Sequence, residues 1–158
     1  MPKIDLASLE PTNRTGYPPP FNEPVQGRWQ RKVGEAAKLT ALGARHVTLE
    51  PGAWSSQRHW HDTEDELLVM ISGTAVLVED DGETELAPGD ITAWAMGERN
   101  GHHLINRGSE PCTFVCVSAG KPGPGGYSDI DMMWTDDGRF VHKDGTPYGD
   151  ARTLSSTS

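Results

Sequence analysis

The sequence predicts an all-β protein, with short antiparallel strands packed in two sheets as a sandwich or small barrel. Three observations predict it. The 158 residues include 18 glycines and 12 prolines, well above the roughly 12% that average usage gives, and a helical bundle does not tolerate so many breakers. Apolar runs of strand length recur through the middle of the chain, closed by Gly or Pro turns at spacings of roughly 8–12 residues. This turn-rich composition goes with a modest apolar fraction of 35%. The length fits one domain, alone or with appendages.

The elements follow in order. Residues 1–43 read as an irregular arm. Thr15-Gly16-Tyr17-Pro18-Pro19-Pro20-Phe21 favours an extended, polyproline-like path, and Glu35 to Leu39 gives one short helical turn closed by Gly43. Residues 44–119 hold the strands. Ala44 to Leu49 alternates, with Val47 and Leu49 on one side and His46 and Thr48 on the other. Glu66 to Ile71 and Thr74 to Val78 are strand-length runs, the second closed by the hairpin signal Asp80-Asp81-Gly82. Thr84 to Leu86, Ile91 to Ala95, His103 to Asn106 and Cys112 to Ser118 complete the series. Residues 120–158 form an extension that begins with the linker-like Lys121-Pro122-Gly123-Pro124-Gly125-Gly126. Ile130 to Trp134 and Arg139 to Val141 are two further short strands, and Arg152 to Ser158 is a polar tail expected to fray. Arm and extension are expected to wrap the outside of the barrel or a partner. Open sheet edges favour a homodimer.

Charge and cysteine usage narrow the function. Fourteen Lys and Arg against 23 Asp and Glu give a net charge of −9, which disfavours nucleic acid and anionic membrane as partners. The longest apolar stretch, Leu67 to Ile71, is far short of the ~18–20 residues needed to cross a bilayer, and no secretory signal pattern opens the chain. Cys112 and Cys116 would lie on one face of a strand but ~13 Å apart, too far for a disulfide. They read as small buried hydrophobes in a reducing, cytoplasmic setting.

The chemistry concentrates in Gln57-Arg58-His59-Trp60-His61-Asp62-Thr63-Glu64-Asp65-Glu66. On an extended backbone, residues two apart point the same way, so His59 and His61 converge. Glu66 opens an apolar strand five residues later, and Gly101-His102-His103-Leu104-Ile105-Asn106 brings a further histidine from downstream. Imidazoles plus one carboxylate form a mixed N/O set suited to a divalent Fe, Mn, Ni, Co, Zn or Cu ion. Positions left open for water and substrate make such a site catalytic. Glu64 and Asp65 compete with Glu66 by position, but read as a solvated acidic loop.

The residues from Gly52 through His59-Trp60-His61 to Glu66 and Gly73 resemble the first sequence motif of the cupin family, in which a glycine, H-x-H, a glutamate and a glycine follow at set spacings. Gly89-Asp90 through Gly97, then His102 and Asn106, resembles the second, whose ending H-x-x-x-N fits His102 and Asn106. Ala95 stands where that motif usually has proline, and two extra residues separate Gly97 from the histidine. The chain as a whole is similar to small single-domain bacterial cupins. The resemblance implies a double-stranded β-helix (jelly-roll) barrel. It also implies a metal set of His59, His61, Glu66 and His102, with His103 facing the other side of the same strand. A small-molecule substrate or ligand is implied with it. Three functions are open on these grounds: a metalloenzyme of dioxygenase, decarboxylase, isomerase or lyase type; a non-catalytic ligand-binding or sensing cupin; and an epimerase using a His base without metal. Of the neighbouring side chains, Arg58 is expected in a surface salt bridge, Trp60 in packing away from the site, Leu68 and Met70 along the apolar wall, and His142 in solvent.

Overall fold

The structure is a computed structural model, described for residues 3–148; the frayed tail expected at Arg152 to Ser158 lies outside those residues. Twelve strands occupy the described chain: β1 (Arg28–Arg31), β2 (Leu42–Leu49), β3 (His59–His61), β4 (Glu64–Ser72), β5 (Ala75–Glu79), β6 (Gly82–Leu86), β7 (Ile91–Trp94), β8 (His103–Ile105), β9 (Cys112–Gly120), β10 (Gly125–Tyr127), β11 (Met133–Trp134) and β12 (Phe140–Val141). A single turn of α-helix, α1 (Val33–Ala36), lies a little upstream of the turn expected at Glu35 to Leu39. The fold is all-β and antiparallel, as the glycine and proline punctuation implies.

Three sheets make up the sandwich: β1-β2-β9-β4-β7, β12-β11-β10-β3 and β6-β5-β8. The central ladder pairs β4 with β9 from Glu64↔Gly120 to Ser72↔Thr113, with a bulge between Met70 and Ser72. Gly73 follows the bulge at φ +67°, and a Cβ there would meet Cys112 Cβ at 2.8 Å. This motif glycine therefore both supplies a left-handed turn and clears the neighbouring strand.

Alternation along these strands sends one row inward. Its lower part is apolar: Leu49, Met70, Cys112 and Phe114 are buried together with Leu77 and Leu104 from the facing sheet. At the other end the same rows turn polar, with Arg45 on β2, Cys116 and Ser118 on β9, and Glu64 and Glu66 on β4. A strand that changes inward residues from apolar to polar along its length builds a closed floor and a wet mouth.

Arm and extension both contribute strands. The arm adds β1 to the edge of the large sheet and buries Val25 completely. Within the linker-like run, Gly125 and Gly126 open a strand, because β10 pairs with β3 through Gly125↔His61, Gly126↔Trp60 and Tyr127↔His59. The extension thus continues the sheet that carries the two histidines, instead of wrapping the outside.

Candidate metal centre

A cavity of about 450 Å³ opens at the polar end of the sandwich. His59 and His61 enter it from β3, Glu66 from β4, and His102 from an isolated bridge with His59 just before β8. His59, His61 and Glu66 each offer a ligand atom within 4.8 Å of the other two. His61 Nε2 lies 3.2 Å from Glu66 Oε2, and His102 Nε2 lies 3.8 Å from Glu66 Oε1. The His59 ring is 5.0 Å, centroid to centroid, from each of the other two imidazoles. All four residues named from the sequence thus face one volume, with His102 adjoining the tighter set of three.

Local bonding orients the set. His59 Nδ1 lies 3.1 Å from Ser56 Oγ and 3.0 Å from the Gln57 carbonyl, leaving Nε2 for a ligand. His102 is 3% exposed and stacks on Trp94 at 3.7 Å and 7°, while Trp94 Nε1 donates to Glu79 at 2.8 Å. Asn106, the last residue of the second motif, is fully buried. Its amide donates to the Leu49 and Glu110 carbonyls and accepts from Gly108 N–H, which fixes the chain just past β8. His103 faces away from the cavity: it packs edge-on against Trp54 at 4.6 Å, and its Nδ1 meets the Ser56 carbonyl at 3.0 Å.

The donor chemistry suits a metal ion. Among the described residues, both ring nitrogens of His61 and of His102 are buried without a hydrogen-bond partner, a costly state unless another group satisfies them. Burial first, then the neighbouring His102, hold the His59 pKa down to about 3, so its imidazole is neutral at pH 7 and its lone pair is free. Burial opposes ionisation of Glu66, but the facing His102 and His61, with His59 beyond, outweigh it and hold the carboxyl well below its ordinary range. Neutral imidazole and carboxylate are the protonation states a divalent ion requires.

Several contributors to the cavity were not read from the sequence. Glu64 belongs to β4 and lines the cavity, with Oε2 3.6 Å from His61 Nδ1; of the expected acidic loop only Asp65 faces out, where it accepts from Met96 N–H. Cys116 is no inert hydrophobe: its thiol donates to Glu66 Oε1 at 3.4 Å. Leu68 lines the wall as expected, whereas Met70 lies deeper in the core. Tyr17 from the arm, and Tyr127, Trp134 and Phe140 from the extension, form an aromatic side of the cavity. The alternation Arg45, Val47, Leu49 in the sequence could have revealed Arg45. No local signal could have revealed Tyr127 or Trp134, because only the β10–β3 pairing brings them in. Outside the site, Arg58 bonds Asp129 at 2.6 and 2.9 Å and also pairs with Asp80. His142 stacks on Tyr148 at 4.0 Å and meets Asp131 at 2.9 Å.

An antiparallel β-sandwich with histidines and a glutamate gathered at one mouth defines a class: barrel proteins with an internal metal-type site. The Cupin_2 family model (Cupin domain) matches residues 45–118. The crystal structure of a sugar phosphate isomerase from a cupin superfamily, from Silicibacter pomeroyi DSS-3, is similar with 41% identity and a TM-score of 0.88, covering 94% of this chain and 97% of that one. The chain belongs to the cupin superfamily. More distant structures share the fold alone. One is a polyketide cyclase from Streptomyces resistomycificus, at 17% identity and TM-score 0.59 over 75% of this chain and 79% of that one. Another is a predicted oxalate decarboxylase from Thermotoga maritima, at 18% identity and TM-score 0.59 over 75% and 98%. No curated protein sequence matches the chain.

Proposed function

We propose that this chain is a metal-dependent cupin enzyme that isomerises a small hydroxylated carbonyl compound of the sugar phosphate type. The observation that carries the proposal is the crowding of His59, His61, Glu66 and His102 around one volume, with the ring nitrogens of His61 and His102 buried against Glu66 and without a hydrogen-bond partner among the described residues. These four residues would hold the ion. Bound there, a divalent first-row ion supplies Lewis-acid polarisation of a substrate oxygen. The similarity to the Silicibacter pomeroyi protein supports the reaction class.

The chain's own side chains supply the rest. Trp94, Ser56 and the Gln57 carbonyl keep His102 and His59 in fixed orientations, and Cys116 donates to Glu66. Leu68, Phe114, Trp134 and Phe140 give the cavity an apolar lining that limits water. Interconversion of an aldose and a ketose moves a proton between adjacent carbons and needs no oxidant. Glu64, the lining carboxylate outside the set, is the group assigned to carry that proton. A homodimer belongs to the same reading, formed over the outer face of the large sheet, where Leu67, Ile71 and Ile91 are 39%, 49% and 63% exposed.

The test is isomer formation, followed by NMR, when protein reconstituted with Mn, Fe, Co, Ni or Zn meets a panel of aldoses, ketoses and their phosphates. Glu64→Gln should lower turnover while metal content stays at the wild-type level. Tight binding of panel members with no isomer formed by any metal form would overturn the enzyme assignment in favour of a ligand-binding cupin.

A further inference from the structure

The protein is strongly acidic overall, yet its cavity is lined by three arginines, Arg14, Arg28 and Arg45, against two carboxylates, Glu64 and Glu66. Among the described residues none of the three arginines forms an ion pair, whereas Arg58, Arg99, Arg107 and Arg139 all do. Arg28 is partly buried at the edge of the large sheet. Its Nη1 donates to the Ser55 carbonyl at 2.7 Å and its Nη2 to the Arg14 carbonyl at 3.4 Å, while its Nε is buried with no partner among the described residues. Burial lowers its pKa, against an opposing effect of Tyr17. A partly buried guanidinium with no ion-paired carboxylate among the described residues is a charge awaiting its counter-ion.

The register places this pole at a distance from the histidines. Arg28 pairs with Leu49, Arg45 with Cys116, and Cys116 with Leu68, one inward step from Glu66. One strand, β9, separates β2 from β4, and Glu66 lies two residues along β4 from Leu68, which at ~4.8 Å per strand spacing and ~3.3 Å per residue sets the Cα atoms of Arg45 and Glu66 about 12 Å apart across the sheet. A short carbon chain spans that gap. Tyr17 and Tyr127 line the same cavity, with their rings 5.6 Å apart.

We propose that Arg28 and Arg45, with Arg14 at the rim, form an oxyanion anchor that holds the phosphate or carboxylate of a small polyol whose other end meets the His59, His61, Glu66 and His102 set. The proposal rests on the reading that the cavity takes a small polar substrate. Guanidinium forks match either oxyanion bidentately. The anchor would select for charged over neutral sugars and fix which end of the molecule reaches the histidines.

Calorimetry on metal-free protein tests the anchor apart from the metal. The probes are ribose 5-phosphate against ribose, and gluconate against glucose. One anionic member should bind at least about tenfold more tightly than its neutral counterpart, as a charge-assisted hydrogen bond implies, and its affinity should fall as salt rises. Preference for ribose 5-phosphate identifies phosphate as the anchored group, and preference for gluconate identifies carboxylate. Arg28→Gln should weaken that binding about 10–100-fold and Arg45→Gln about tenfold, with cobalt uptake measured by elemental analysis unchanged. Because Arg28 also holds Ser55, an Arg28→Gln protein that fails to fold leaves the decision to Arg45→Gln, whose side chain is exposed at the mouth. Equal binding of charged and neutral sugars, no binding of either anion at millimolar concentration, or wild-type affinity in Arg45→Gln would each overturn the anchor. Anion binding in a wild-type protein that takes up no cobalt would leave the anchor standing and sink the metal reading.

Discussion

Replacing Gly125 by Ala probes how the C-terminal extension closes the site. Gly125 pairs with His61, and a Cβ built on it would lie 2.1 Å from Trp134 Cζ2 and 2.4 Å from the Trp60 carbonyl oxygen. The first clash is with an indole tied by its Nε1 to the Gly123 carbonyl at 2.8 Å, and the second is with backbone of the paired strand, so neither neighbour yields cheaply. Overpacking of this kind costs about 1–3 kcal/mol, and a backbone clash belongs at the upper end. The lower chain entropy of Ala in the unfolded state offsets roughly 0.4–1 kcal/mol. The net expectation is a loss of about 2 kcal/mol, which at roughly 2–4 °C per kcal/mol for a chain of this size lowers Tm by about 4–8 °C. Differential scanning calorimetry reads that shift. Trp fluorescence should move to the red, and metal affinity should fall because β3 and its two histidines lose their neighbour. A Gly125→Ala protein with wild-type Tm and unchanged metal uptake would refute the claim that β10 is a close-packed wall of the site.

Three further outcomes follow from the same contacts. His59→Ala with His61→Ala should abolish stoichiometric metal uptake by elemental analysis. It should also erase the metal-dependent stabilisation of the wild type, about 2.7 kcal/mol when free metal is 100-fold above Kd. Asn106→Ala leaves the Leu49 and Glu110 carbonyls without their buried donor, at about 1–3 kcal/mol for each unsatisfied group; urea denaturation should show a correspondingly lower midpoint, and an unchanged midpoint would deny Asn106 its structural role. Asp129 is held below its usual pKa, chiefly by Arg58. Its folded value lies under the unfolded one of about 3.9, so its stabilisation is present above that pH and is lost as pH falls through the folded value. The Tm gap between wild type and Asp129→Asn should therefore be open at neutral pH and close below about pH 4, and because the carboxylate is largely exposed the gap should be small.

Much of the fold was legible because its signals are local. Val47 and Leu49 alternate with His46 and Thr48, and the ladder of β2 keeps that alternation. Asp80-Asp81-Gly82 marks a hairpin, and β5 and β6 pair across it down to Glu79↔Gly82. The misreadings came where one segment's conformation depends on a distant partner. Gly125-Gly126 looks like linker because glycine is a turn residue in isolation, but here its missing side chain admits Trp134 and Trp60. Glu64 looks like solvated loop because charge clusters usually are, yet β9 draws it into a strand.

The sequence by itself determined the strand series and the histidine pair, because backbone period and the i, i+2 rule act between near neighbours. It also named His59, His61, Glu66 and His102 as a candidate set through motif spacing. Only the tertiary structure decided that β3 would be flanked by the extension, that Cys116 would stand beside Glu66 and Glu64 beside His61, and that three arginines would share the cavity with the histidines. Those placements are set by ladders between residues dozens of positions apart. Which strands become neighbours depends on the packing free energy of the whole sheet, and no local window of sequence carries that quantity.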